Sequence, residues 1–182
     1  MTRHWYALIL AALLAAVPAL AALKVGDRAP DFSAQATQGG QVAPFSLAES
    51  LKKGPVVLYF YPAAFTPGCT REAHAFADAA DQFAGLGAVV LGVSHDDLAK
   101  LKEFSVSECR GKFAVAADPD QSIMKAYDSI LPAHPERANR TSYVIVPDAN
   151  GGRIIHVFTD LKPDEHVGKA LAALTKWREQ NP

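Results

Sequence analysis

The sequence predicts an α/β fold, a central mixed β-sheet flanked by helices, and three observations carry that expectation. Four short apolar runs, rich in β-branched and aromatic residues, are spread along the chain. Runs of this kind suit strands buried on both faces of a sheet. Between them lie stretches whose apolar residues recur at helical spacing. The last two runs are joined by Pro147-Asp148-Ala149-Asn150-Gly151-Gly152, which has the chemistry of a hairpin turn.

In chain order, the first element is not part of the fold. Arg3 and His4 give a short polar start, Ala7 to Val17 is apolar throughout, and Pro18 precedes the small-residue site Ala19-Leu20-Ala21. This pattern reads as a secretory signal peptide over residues 1–21, with residues 22–182 as a single domain. An uncleaved anchor is the alternative, since Trp5 to Leu23 could span a bilayer if Pro18 were tolerated. Lys24 to Gly54, rich in Gly, Pro, Ser and Gln, reads as short strands and turns. Pro55 to Tyr61 is the first buried strand and Ala88 to Val93 the second. Between them Ala73, Phe76, Ala77, Ala80 and Phe83 form one helical stripe. Leu98, Leu101 and Phe104 mark another helix. Ser142 to Val146 and Arg153 to Phe158 are the hairpin strands, and Val167, Ala170, Leu171 and Leu174 mark a closing helix that carries Trp177. Alternating strands and helices, then a hairpin and a terminal helix, is the order of a thioredoxin-like sandwich. An open doubly wound sheet is the competing arrangement, and the late hairpin argues against it.

Composition narrows the function. Charged residues at 20% and hydrophobic ones at 49% are ordinary for a globular domain. A formal net charge of -1 provides no field to attract nucleic acid or anionic lipid. The six histidines include no pair at metal-ligand spacing, so neither a metal nor a cofactor is expected. Both cysteines, Cys69 and Cys109, fall after the signal. Export to the periplasm or outside the cell places them in an oxidising compartment, where they form a disulfide or serve as reactive thiols. Their number alone does not decide between these.

The chemically informative segment is Pro62 to Glu72, between a buried strand and a helix. Thr66 suits the N-cap and Pro67 the first helical position, which puts Cys69 in the first turn. There the unpaired N–H groups and the helix dipole favour an anion, and the thiolate is the nucleophilic form of cysteine.

The pattern Pro62, Thr66, Cys69 resembles the active-site signature of the peroxiredoxins, and Tyr59 through Glu72 is most similar to the peroxiredoxin Q, or bacterioferritin comigratory protein, subfamily. The likeness runs from about Val25 to Trp177. Val25 to Phe32 is similar to the family's opening; Gly92-Val93-Ser94 and Ala117 to Asp120 resemble later landmarks. Asn139 to Val144 resembles the strand that bears the family's arginine.

The resemblance implies a thiol peroxidase that reduces hydrogen peroxide and organic hydroperoxides, in antioxidant defence, and is recycled by a thioredoxin-like or other dithiol reductant. Cys69 becomes the peroxidatic nucleophile and passes through a sulfenic acid. Thr66 holds the peroxide and thiolate together, and Arg140 stabilises the thiolate and the developing oxyanion. Pro62 shields the site, Gly68 permits close approach, and Glu72 orients an arginine or a neighbouring chain. Arg71 and Arg137 are the rivals of Arg140 for the cation. A monomer is expected, with no membrane association after signal cleavage.

One departure stands out. His74 occupies the place where many subfamily members carry a resolving cysteine, so that route is absent. Cys109 lies near the end of the next helix, about one turn further along than expected by matching flanking residues. It is the candidate resolving cysteine, with a spectator thiol as the alternative. If it resolves, one or both cysteine segments must unwind locally. Two other readings compete with the peroxidase. A TlpA-like thiol–disulfide oxidoreductase suits the fold and the signal, but Thr66 stands where Cys-x-x-Cys needs its first cysteine. A non-catalytic redox-sensing domain would use Cys69 and Cys109 as a structural disulfide.

Overall fold

Residues 23–181 are described by the computed structural model. The predicted signal peptide, residues 1–21, lies outside them. The first elements are a hairpin, β1 (Ser33–Gln38) and β2 (Gln41–Ser46), and a short helix α1 (Leu47–Leu51) whose Ser46 N-cap accepts the Glu49 N–H. Then come β3 (Val56–Phe60), α2 (Pro67–Asp78), α3 (Ala80–Gly85), β4 (Val89–Ser94) and α4 (Leu98–Ser107). The second half holds β5 (Ala114–Ala117), α5 (Ser122–Ala126), the small hairpin β6 (Ile130–Leu131) and β7 (His134–Ala138), then β8 (Thr141–Asp148), β9 (Gly151–Thr159) and α6 (His166–Gln180).

Seven strands form one mixed sheet in the order β2-β1-β5-β4-β3-β8-β9. The central strands β3, β4 and β5 run parallel, while β8 is antiparallel to β3 and β9 to β8. All five residues of β3 are buried, as its continuous apolar sequence requires. Their alternation feeds two cores. Val57 and Tyr59 face α2, α4 and α6, where they meet Phe76, Phe104 and Leu174. Val56, Leu58 and Phe60 face α1 and α5, where they meet Leu51 and Met124. Each such side chain contributes about 1.5–3 kcal/mol by leaving water.

Tyr59 lies directly across from Gly92 on β4, and its ring occupies the space a Cβ there would need, at 2.8 Å. Stacking on Phe76 at 4.3 Å then ties β3 to the helix that begins with the site.

The single helix expected through Ala73 and Phe83 is two. Ala79 closes α2 with its N–H on the Ala75 carbonyl and opens α3. The break makes Ala79 buried and Ala80 only half-buried, and it returns Phe83 to the core, 5.9 Å from Phe76. Strand β5 is short and alanine-rich, with little intrinsic strand preference; its place between β1 and β4 makes it a strand.

Candidate active site

The chain leaves β3 with the Tyr61 N–H still bonded to the Val93 carbonyl, then turns through Pro62 to Thr66 into α2. A carboxylate pins this turn: Asp96 accepts the Ala64 N–H at 2.7 Å and the Ser94 hydroxyl at 2.9 Å, while Lys100 donates to its other oxygen at 2.7 Å. Pro62 is half-buried at the head of the turn, and Phe65 has φ of 67°, a left-handed conformation that costs a bulky side chain energy. Asp96 was not singled out by the sequence, although it lies two residues after the Gly92-Val93-Ser94 landmark.

Thr66 is the N-cap residue of α2 and Pro67 its first helical residue, as expected. The expected side-chain cap is not formed. The Thr66 hydroxyl donates instead to the Ala63 carbonyl at 2.9 Å, because the turn folds back over its own start. Its lone pairs remain available, and backbone N–H groups of the first turn are left without side-chain acceptors.

Cys69 sits in that first turn, 1% exposed, with Arg140 Nη2 donating to its Sγ at 3.4 Å. Arg140 comes from the residue just before β8, the neighbour of β3, so sheet register delivers it to the head of α2. Arg140 Nε donates to the Leu161 carbonyl at 2.9 Å, and Nη1 donates to Glu72 Oε2. The guanidinium is thus held along its fork, with one N–H directed at sulfur. The rivals are elsewhere: Arg71 is exposed, and Arg137 pairs with Glu136 at the surface. Gly68 has its own reason to be small, since a Cβ there would stand 3.2 Å from Arg140 Nη2.

Glu72 is fully buried one helical turn after Cys69. Burial pushes its carboxyl up to about 8, against the pull of the Arg140 charge and hydrogen bond. His166, the first residue of α6, is also fully buried, with Nδ1 3.8 Å from Glu72 Oε1. Its Nε2 donates to the Asp160 carbonyl at 2.8 Å and its Nδ1 faces the Ser142 hydroxyl at 2.7 Å. Burial holds its imidazole below the usual histidine range. Sequence reasoning missed His166, Ser142 and the Leu161 carbonyl, because nothing local marks them; only the packing of α6 on β8 brings them to Glu72.

Cys109 is also a free thiol, fully buried, two residues beyond the end of α4. Its N–H bonds the Phe104 carbonyl at 3.0 Å and its carbonyl accepts from Lys112 at 2.9 Å. Burial, and then the Glu108 carboxylate, push its thiol far above the usual range. A hydrogen bond and two ion pairs fasten the surrounding segment to α2 and α3: Glu108 with His74 at 2.8 Å, Arg110 to Asp78 at 2.6 Å and Lys112 to Asp81 at 3.4 Å. His74, which replaces a cysteine by resemblance, therefore anchors the segment of the other cysteine. No disulfide joins Cys69 to Cys109 in this structure, so the structural-bridge reading gains no support from it.

Comparison with known proteins bears on what this arrangement does. A family model described as AhpC/TSA family matches residues 25–154. Peroxiredoxin Bcp of Escherichia coli K12 is 35% identical over 149 residues, covering 79% of this chain and 90% of that protein. The chloroplastic peroxiredoxin Q of Oryza sativa subsp. japonica is 34% identical over 149 residues, 82% of this chain, which spans 65% of the rice protein's length. Among solved structures, peroxidoxin BcpB from Mycobacterium tuberculosis superposes with a TM-score of 0.74 at 32% identity, covering 85% of this chain and 97% of that one. The shared architecture is the thioredoxin-like sandwich.

Proposed function

The chain belongs to the AhpC/TSA family, in its peroxiredoxin Q and Bcp branch, and on that premise we propose that it is a thiol-dependent peroxidase with Cys69 as peroxidatic nucleophile. The observation that carries this reading is the Arg140 guanidinium, oriented by Glu72 and Leu161, with an Nη2 N–H on Cys69 Sγ at 3.4 Å. A thiolate in that place is stabilised by a fixed cation and by the start of α2. It attacks the terminal oxygen of a hydroperoxide. An S–O bond forms as the O–O bond breaks, sulfur gives up two electrons, and an alkoxide or hydroxide leaves and is protonated to alcohol or water.

The first-turn N–H groups and Arg140 are the donors for the departing charge, while the Thr66 hydroxyl, committed as a donor to the Ala63 carbonyl, offers its lone pairs to the hydroperoxide O–H. Arg140 is already aimed before substrate arrives, so little reorganisation is needed when charge moves from sulfur to oxygen. Glu72 supplies this aim without touching the reacting atoms. Pro62 closes the turn over the thiol and limits access of bulk water.

The sulfenic acid is recycled by a dithiol reductant of the thioredoxin type. Cys109 is the resolving residue on this reading: its thiol displaces water from the sulfenic acid to give a Cys69–Cys109 disulfide, which the reductant then opens. Both thiols are buried in the same core, and the Cys109 segment is pinned by the His74–Glu108 contact and two ion pairs, so the 108–112 segment must loosen for the sulfurs to meet. Residues 1–21 are read as an export signal that sends a monomeric mature enzyme to the periplasm or beyond.

Peroxide consumption coupled to a generic dithiol tests the reading, with Cys69→Ser as the control. A thiol–disulfide oxidoreductase would instead reduce or oxidise protein disulfides without consuming peroxide. N-terminal sequencing of the exported form, expected to begin at or near Ala22, tests the signal.

A further inference from the structure

Cys69, Glu72, Arg140 and His166 are each at most 4% exposed. Groups confined to one such pocket must come close to charge balance, since an uncompensated buried charge is costly. With Cys69 as thiolate, Arg140 cationic, Glu72 ionised and His166 neutral, the pocket carries one net negative charge. A single additional proton neutralises it.

The structure offers that proton two adjoining sites. Glu72 Oε2 is taken by Arg140, but Oε1 is buried with no hydrogen-bond partner. His166 Nδ1 lies 3.8 Å from Oε1. The Asp160 carbonyl can only accept, so the ring carries its hydrogen on Nε2, and Nδ1 keeps a lone pair facing the Ser142 hydroxyl. A proton on Oε1 has the Nδ1 lone pair as its neighbour, and a proton on Nδ1 has the Ser142 hydroxyl at 2.7 Å as acceptor and Oε1 beyond it at 3.8 Å.

Among the described residues, neighbours on other elements supply no countercharge. Tyr59 of β3 is a buried phenol that burial keeps neutral. His156 of β9 is held neutral by burial and then by Lys169. Lys169 of α6 lies over the Phe158 ring at 3.7 Å and pairs with Glu165. The Asp160 carboxylate turns away to accept the Lys162 N–H.

We propose that Glu72 and His166 together store one proton while Cys69 is a thiolate and surrender it as Cys69 is oxidised. The inference rests on the peroxidase reading. Thiolate attack forms the S–O bond, breaks the O–O bond and expels an alkoxide or hydroxide. That leaving oxygen is protonated and departs as alcohol or water, and the Glu72–His166 pair gives up its proton in the same event, so that none is drawn from solution in net. What stays behind is a neutral sulfenic acid and an ion-paired Arg140–Glu72, so the pocket is balanced before and after. The raised Glu72 carboxyl agrees: the store is full below about 8 and empties above it. His166 and Glu72 are proton-holding and positioning residues here, acting through Arg140.

Proton stoichiometry tests this directly. The reduced, full-length enzyme is mixed with one equivalent of hydrogen peroxide in weakly buffered solution at neutral pH, with a pH indicator and the ultraviolet thiolate absorbance followed together. Disulfide formation from a sulfenic acid and a thiol moves no proton, so Cys109 does not disturb the count. A thiolate whose proton has already left the protein takes up about one proton from solution per sulfur oxidised; a stored proton reduces that to about zero.

The proposal expects about zero in the wild type, with the thiolate signal present, and about one in Glu72→Gln. It expects the pH at which uptake rises from zero to one to fall in His166→Gln, which has one fewer site for the proton. Uptake of one proton by the wild type overturns the store, even if Glu72→Gln fails to fold. An unmoved midpoint in His166→Gln overturns the part of His166. Absence of any Cys69 oxidation overturns the peroxidase reading itself.

Discussion

Cys69 and Cys109 are both buried free thiols in the same core, yet their surroundings differ in every charged group. Cys69 stands in the first turn of a twelve-residue helix with a guanidinium on its sulfur. Cys109 stands beyond the last turn of α4, where the Glu108 carboxylate adds to burial in pushing its thiol up. Taking a thiolate out of water is costly wherever it is done. A cation and a helix start oppose that cost at one site; a helix end and an anion add to it at the other. On the peroxidase reading, this difference in charge setting is what selects Cys69 as the nucleophile.

The sharpest way to break this contrast is to exchange sulfur for oxygen at each site. Cys69→Ser should abolish peroxide turnover, whereas Cys109→Ser should still react once with peroxide and then build up sulfenic and sulfinic acid at Cys69. Turnover by Cys69→Ser measured with a dithiol reductant would reverse the two roles.

Removing the cation should have the next largest effect. Arg140→Met is expected to lower kcat/KM by a factor on the order of 10² or more, while Arg71→Met and Arg137→Met leave it within a few-fold. Thr66→Val should cost a factor on the order of 10² through the lost hydroxyl. Steady-state kinetics at several peroxide concentrations would separate these losses in the chemical step from losses in substrate binding.

The smallest effect should come from the fastening of Cys109. Half-exposed ion pairs contribute about 0–1 kcal/mol each, so Glu108→Gln should speed disulfide formation after oxidation by no more than a few-fold. Stopped-flow fluorescence or rapid acid quench with mass analysis would read that rate. Slower disulfide formation would mean that the His74–Glu108 pair helps Cys109 reach its partner.

The sequence was most legible where one residue pattern had one physical outcome. Pro55 to Tyr61 has no polar side chain to place in water except at the tyrosine hydroxyls, so a strand buried on both faces was its natural state. The hairpin at Pro147 to Gly152 was marked by its turn residues, and β8 and β9 pair across it as expected. Strand β5 was not legible because its partners β1 and β4 impose it from far away in the chain; the β6–β7 hairpin is local but irregular in register, and no glycine or proline marks the break at Ala79. The site divides in the same way. Thr66, Cys69 and Glu72 follow from helix geometry within one segment. Arg140 was found through resemblance, but its choice over Arg71 and Arg137 depends on β8 lying beside β3. His166 and Asp96 carry no local signal and emerge only from packing.

The central claim is that peroxide oxidises the sulfur of Cys69, and it is tested most directly by peptide mapping of the reduced enzyme after one equivalent of hydrogen peroxide. A sulfenic-acid trap should label Cys69 in Cys109→Ser, and untrapped wild type should become two hydrogens lighter through a Cys69–Cys109 peptide. Label on any other residue, or recovery of Cys69 as an unmodified thiol, would contradict the account.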